Sequence, residues 1–176
     1  IFVYGSLRSG QSNAALLARF DPLEEGKAVV RGTVCGNLLD LGDFPGLVLS
    51  SNLLERVHGE VYSFVDLEGV LAELDALEVF KGYGQPGSEY VRAILPVDLD
   101  GRERIAWAYI YVGEQGDAHT VPRGDWVEHR GGFEARFQRI QGIQLGIRDM
   151  AHDIRYQHAE HGGAQPVEIA DVFRRQ

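Results

Sequence analysis

The residues in this sequence best suited to chemistry are one carboxylate and one short loop. Glu78 follows the run Leu67, Val70, Leu71 and Leu74, and at 100° per residue it falls within about 20° of the direction of Leu67, on the apolar stripe. A carboxylate turned toward an apolar interior loses hydration, and a place in the last turn of a helix adds repulsion from the helix C-terminus. Both effects raise its proton affinity and make it a better base. On the same wheel Glu68 and Glu73 point away and Asp75 sits on the shoulder, so these three read as a solvated face. The competing reading is a helix frayed by Val79-Phe80, with Glu78 in water or paired with an Arg such as Arg92, because structural ion pairs also perturb carboxylates.

The loop is Tyr4-Gly5-Ser6-Leu7-Arg8. It follows a β-prone run, and Gly5 removes a side-chain obstacle to close approach by a ligand. Backbone N–H groups there can form an anion-binding nest, although strand-Gly-Ser is also the pattern of an ordinary turn. Ser6 with a His and an Asp can be drawn as a hydrolase triad, but no Gly-x-Ser-x-Gly elbow is present and no His is close to it in sequence. His152, His158 and His161 have spacings of six and three, which match no usual metal pair, so they read as solvated. Cys35, beside Gly36 in a β-segment, reads as a small core residue.

These residues need elements to hold them. Ile1 to Tyr4 is a short strand, and Ser12-Asn13 opens a helix-like stretch from Ala14 to Phe20. Lys27 to Leu49 reads as β-segments broken by turn residues, and Val57 to Val65 alternates as a strand. Asp66 caps a helix expected to run to about Phe80. Glu89 to Val97 and Arg104 to Val112 should pair antiparallel across Asp100-Gly101, a hairpin signal. After Asp125-Trp126 the pattern changes: Phe133, Phe137, Ile140, Ile147, Ala151 and Ile154 repeat at helical spacing, and a last short helix is expected after Gln165-Pro166. This predicts a domain over residues 1–126 and a helical extension over 127–176, whose apolar face packs either on the domain or against a second copy, making a homo-oligomer.

Composition sets the outer bounds. A chain of 176 residues, 44% of them hydrophobic, fits one domain with an appendage. Its net charge of −9 disfavours tracking a phosphate backbone, so nucleic acid is not an expected partner. The longest apolar run, Ile105 to Val112, is far shorter than the ~20 residues of a membrane span, and no membrane role is expected. A single cysteine rules out an intrachain disulfide and a Cys-based zinc site, which favours a reducing cytoplasm. The chain starts at Ile1 and its one Met is Met150, so its natural N-terminus is expected to lie outside it.

Phe2-Val3-Tyr4-Gly5-Ser6-Leu7-Arg8 resembles the N-terminal signature of the gamma-glutamylcyclotransferase-like family, including its AIG2-like and gamma-glutamylamine cyclotransferase branches. Phe44-Pro45-Gly46-Leu47, Gly59-Glu60-Val61-Tyr62, Leu74-Asp75-Ala76-Leu77-Glu78, Tyr90-Val91-Arg92, Trp107-Ala108-Tyr109 and Gly124-Asp125-Trp126 follow in the same order, so the resemblance covers residues 1–126. It implies an α+β fold, a small mixed barrel-like sheet flanked by helices. It also implies an acyltransferase or lyase that releases 5-oxoproline from a small gamma-glutamyl amide, with Glu78 catalytic and Tyr4, Gly5, Ser6 and Leu7 binding substrate. No cofactor or metal is implied, because the substrate's own amine is the nucleophile and one carboxyl can serve as base and then acid. Tyr111 is a candidate pocket wall. Val79 departs from the family, which commonly has Gly after the catalytic residue. The alternative is a binding or regulatory module that keeps the fold without turnover.

Overall fold

The computed structural model describes residues 1–22 and 29–131, all within the first of two compact units, Ile1–Gly131 and Gly132–Gln176. The expected extension and its histidines, beyond residue 131, therefore lie outside the described residues. Eight strands and two α-helices are described: β1 Phe2–Val3, α1 Ala14–Leu17, β2 Val30–Cys35, β3 Asn37–Asp40, β4 Pro45–Val48, β5 Arg56–Val61, α2 Leu67–Leu77, β6 Tyr90–Leu99, β7 Arg102–Tyr111 and β8 His119–Thr120. A 3-10 turn at Pro122–Gly124 follows, and residues 126–131 are helical.

One sheet has the order β1-β5-β2-β6-β7 and the other β4-β3-β8, with antiparallel ladders throughout the described strands. The two sheets wrap around a core that includes Phe2, Tyr4, Leu38, Leu47, Val97 and Ala108. The architecture is the expected α+β one, a nearly closed barrel-like sheet with helices against its side. A second core packs Val70, Leu71 and Leu74 of α2 and Leu17 of α1 against Val3 and Tyr109. β1 is thus buried on both faces, Phe2 inward and Val3 toward the helices, which is why it reads as a continuous apolar run. Gly59 lies on β5 close beside β1, since a Cβ there would sit 2.5 Å from the Val3 carbonyl oxygen.

The β6–β7 hairpin closes on Asp100-Gly101 with Leu99 opposite Arg102; both turn residues have positive φ, 53° and 83°. That conformation suits the right-handed twist of paired strands and explains the Asp-Gly signal.

Helix α2 starts as the sequence predicts, with Asp66 Oδ1 accepting from the Gly69 N–H at 2.8 Å. It ends earlier, at Leu77. The N–H of Phe80 donates to the Asp75 carbonyl at 2.9 Å and that of Val79 to Ala76 at 3.4 Å, a Schellman closure with Val79 in the left-handed region at φ 52°. Two details of the wheel are corrected with it. Leu67 is exposed, because it sits in the first turn beyond the edge of the sheet-facing stripe. Asp75 is half-buried and paired, and does not belong to a solvated face.

Candidate active site

Glu78 occupies the C-cap of α2, φ −85° and ψ 6°. It opens on a cavity of about 200 Å³ whose walls include Tyr4 to Leu7, Asn13, Phe44-Pro45, Tyr90 and Tyr109. The carboxylate and the loop singled out in the sequence, far apart along the chain, therefore line one space.

The carboxyl of Glu78 has no hydrogen-bond or ion-pair partner among the described residues. Arg92, the partner the competing reading offers, is committed to Asp75, with Nη1 at 2.9 Å from Oδ2 and 3.2 Å from Oδ1. The tyrosines that wall the site are engaged elsewhere. Tyr4 Oη donates to the Tyr109 carbonyl at 2.8 Å, and Tyr90 Oη donates to the Pro45 carbonyl at 2.9 Å. With no donor to stabilise its anion, burial alone pushes the Glu78 carboxyl up to about 7. The effect runs both ways: burial first, then the Glu78 charge, raises Tyr4 and Tyr90 well above the ordinary tyrosine range, so both remain neutral walls.

On the loop side the Gly5 and Ser6 carbonyls accept from the N–H groups of Arg8 (3.1 Å) and Asn13 (2.9 Å), while the N–H groups of Gly5, Ser6 and Leu7 donate to no described residue. Three unspent donors on the wall of a cavity are what an anion needs. Packing requires a glycine at position 5 as well, since a Cβ there would meet Pro45 Cγ at 2.8 Å. The Ser6 Oγ accepts from Asn13 Nδ2 at 3.0 Å, and no histidine among the described residues lines the cavity as a triad would need. Leu7 is buried against α1 and α2, and no group of metal-ligating side chains exists among the described residues.

Tyr111 walls the neighbouring cleft instead, an open space of about 570 Å³ that shares Phe44 and Glu89 with the cavity. Cys35 is half-buried, its Sγ 3.3 Å from the carbonyls of Ser50 and Asn52; it is a donor on the surface side of β2 and not a core residue.

Comparison with known proteins decides the kinship. Residues 1–128 match the family described as "Gamma-glutamyl cyclotransferase, AIG2-like". The chain belongs to this family of enzymes. It is similar to the "Gamma-L-glutamyl-butirosin B gamma-glutamyl cyclotransferase" of Niallia circulans, 30% identical over 88% of this chain and 87% of that one. It is also 35% identical to the "Putative gamma-glutamylcyclotransferase" of Vibrio cholerae, over 73% of this chain and 95% of the relative. Among solved structures, YkqA from Bacillus subtilis superimposes with a TM-score of 0.57 at 25% identity; the match covers 77% of this chain and 42% of that one. PH0828 from Pyrococcus horikoshii shares the fold, with a TM-score of 0.51 at 21% identity over 77% and 95% of the two chains.

In this AIG2-like domain, sequence reasoning misses the side chains that hold the loop. Asn13 reads as a helix cap, yet it makes no capping bond and turns its amide to Ser6. Arg8 and Glu60 are both 6% exposed. Arg8 Nε lies 3.7 Å from Glu60 Oε1 and its Nη1 donates to Asp125 at 2.8 Å, while Glu60 Oε2 accepts from the Ser9 N–H and from Tyr62 Oη. Alternation along β5 assigns Glu60 to an outer face, and there Arg8 and Ser9 of the loop cover it. A carboxylate directly beside Gly59 in a strand is the available signal.

Proposed function

We propose that the protein is a gamma-glutamyl cyclotransferase that converts a small gamma-glutamyl amide into 5-oxoproline and a free amine, without cofactor or metal. One observation carries the reading: an unpartnered carboxyl whose proton affinity is tuned to neutrality faces the same cavity as three unspent backbone donors. Glu78 takes a proton from the alpha-ammonium, freeing its lone pair. The amine then attacks its own gamma-carbonyl, a five-membered closure in which the nucleophile is already tethered. The Gly5 to Leu7 amides hold an anion, either the alpha-carboxylate or the tetrahedral oxyanion. The attacking nitrogen gives up a second proton, Glu78 returns one to the departing nitrogen as the C–N bond breaks, and the released amine takes up the other. No water is consumed and Glu78 ends as it began.

The leaving amine extends toward the cleft that shares Phe44 and Glu89 with the cavity. A relative's name specifies a gamma-glutamyl group on butirosin B, so bulky leaving groups fall within the reading. The reaction belongs in the cytoplasm, which suits a chain whose one cysteine, Cys35, is free. The test is formation of 5-oxoproline from a panel of gamma-glutamyl amides and peptides. Turnover of at least one, lost in a folded Glu78→Gln variant, supports the assignment; a Gln variant as active as the parent ends it.

A further inference from the structure

The segment after Glu78 carries a conformation its sequence resists. Val79 has φ 52°, and a β-branched residue in the left-handed region is an outlier that persists only where its surroundings over-determine it. Those surroundings form a closed ring. The positive φ turns the chain so that the Phe80 N–H returns to the Asp75 carbonyl at 2.9 Å. The Phe80 ring then lies 5.6 Å under the Arg92 guanidinium, which is also 5.1 Å from the Trp107 ring. Arg92 Nη1 comes back to the Asp75 carboxylate at 2.9 Å, and Tyr109 Oη donates to the same carboxylate at 2.6 Å. Arg92 and Tyr109 are cross-strand partners on β6 and β7.

This ring is poorly explained as a stability device. The Asp75 and Arg92 side chains are one-quarter and one-fifth exposed, and the attraction within a half-buried pair is offset in large part by the desolvation of its charges. Arg92 Nε is moreover buried without a hydrogen-bond partner, a cost that an apolar side chain would avoid. Glu78 lies inside the ring, between Asp75, where it closes on one side, and Val79-Phe80 on the other.

We propose that Asp75, Arg92 and Phe80 are positioning residues: their ring holds Val79 left-handed and thereby fixes the Glu78 carboxyl in the cavity. The proposal rests on the catalytic reading of Glu78. Arg92→Lys keeps the charge but loses the planar group over the Phe80 and Trp107 rings, and Phe80→Leu removes one face of the stack while leaving the ion pair.

The test has two readouts on folded protein. The first is the Glu78 carboxyl titration by 13C NMR, assigned by its disappearance in Glu78→Gln; it needs no substrate. The titratable groups that line the cavity with that carboxyl are Tyr4, Tyr90, Tyr109 and Glu89, and none of them is substituted in these variants. Arg92→Lys and Phe80→Leu should let water reach Glu78 and move its titration down from about 7 toward the ordinary carboxylate range. The second readout is 5-oxoproline formation from a gamma-glutamyl amide that the parent turns over: kcat should fall about tenfold or more while KM stays within about threefold. Adding Val79→Gly, which takes up a positive φ without strain, should restore both readouts in the Arg92→Lys background. Unchanged titration in both single variants would overturn the proposal, and so would failure of Val79→Gly to restore the shift. Turnover surviving in Glu78→Gln would instead remove the catalytic reading and leave the titration result standing, so the two failures are distinguishable.

Discussion

Arg8 Nη1 donates to Asp125 Oδ1 at 2.8 Å across a sequence separation of 117 residues, and the same Asp125 oxygen accepts the N–H groups of Val127 and Glu128. One guanidinium thus joins the cavity loop, β5 through Glu60, and the start of the helical residues 126–131. Arg8→Leu leaves Glu60 buried with its charge uncompensated, and should cost about 3–5 kcal/mol of stability. Asp125→Asn keeps a shape and an acceptor, and should cost about 1–2 kcal/mol. Urea denaturation checks both; equal costs would mean that the buried charge on Glu60 is not what Arg8 compensates.

Asn13 and Ser6 give a prediction with an order built in. As donor to Ser6 Oγ, the Asn13 amide leaves the Ser6 hydroxyl proton free for an anionic group in the cavity. Asn13→Asp would reverse that bond, take up the proton and add a negative charge. It should reduce kcat/KM more than Asn13→Ala, by about a hundredfold against about tenfold. An Asp variant as active as the Ala variant would show that the hydroxyl's orientation does not matter.

The Glu78 carboxyl links stability and activity to pH. Its folded value is raised to about 7 from an ordinary 4.5, so between those values the folded state binds the extra proton. Stability contributed by the neutral form is complete below about 4.5 and is lost as pH rises through about 7, an amount of about 3 kcal/mol. Glu78→Gln should therefore be more stable than the parent at pH 8, and the difference should vanish near pH 4. Activity runs the other way: kcat/KM should climb with unit slope below about pH 7 as the base form appears. A pH-independent difference in melting temperature between parent and variant would contradict the buried carboxyl.

Val79→Gly should stabilise the protein by about 1 kcal/mol, because the strain of a left-handed β-branched residue exceeds the added flexibility of Gly in the unfolded chain. Thermal melts at a pH where Glu78 is neutral keep the two effects apart; a Gly variant that melts below the parent would show that Val79 is not strained.

The elements defined by local chemistry are legible in the sequence: the Asp66 cap, the Asp-Gly hairpin and the apolar face of α2 each depend on residues close together. Glu78 is legible too, since a wheel needs only its own helix. Asp75 misleads for the same reason. Its partners Arg92 and Tyr109 come from β6 and β7, and no periodicity within α2 reports a guanidinium on another element. Alternation misplaces Glu60 because it supposes a sheet with one wet face, and here Arg8 and Ser9 of the loop cover Glu60 on that face. Leu67 fails differently, as a stripe has ends and the first turn of α2 overhangs the core.

The hydroxyl bonds of Tyr4 to the Tyr109 carbonyl and of Tyr90 to the Pro45 carbonyl tie three walls of the cavity together. The ordering entropy of those walls is therefore expended when the chain folds and not when a ligand arrives. On the proposed reaction such a cavity would take the glutamyl half as a preset mould, and discrimination among substrates would shift to the amine side, toward the open cleft past Phe44 and Glu89.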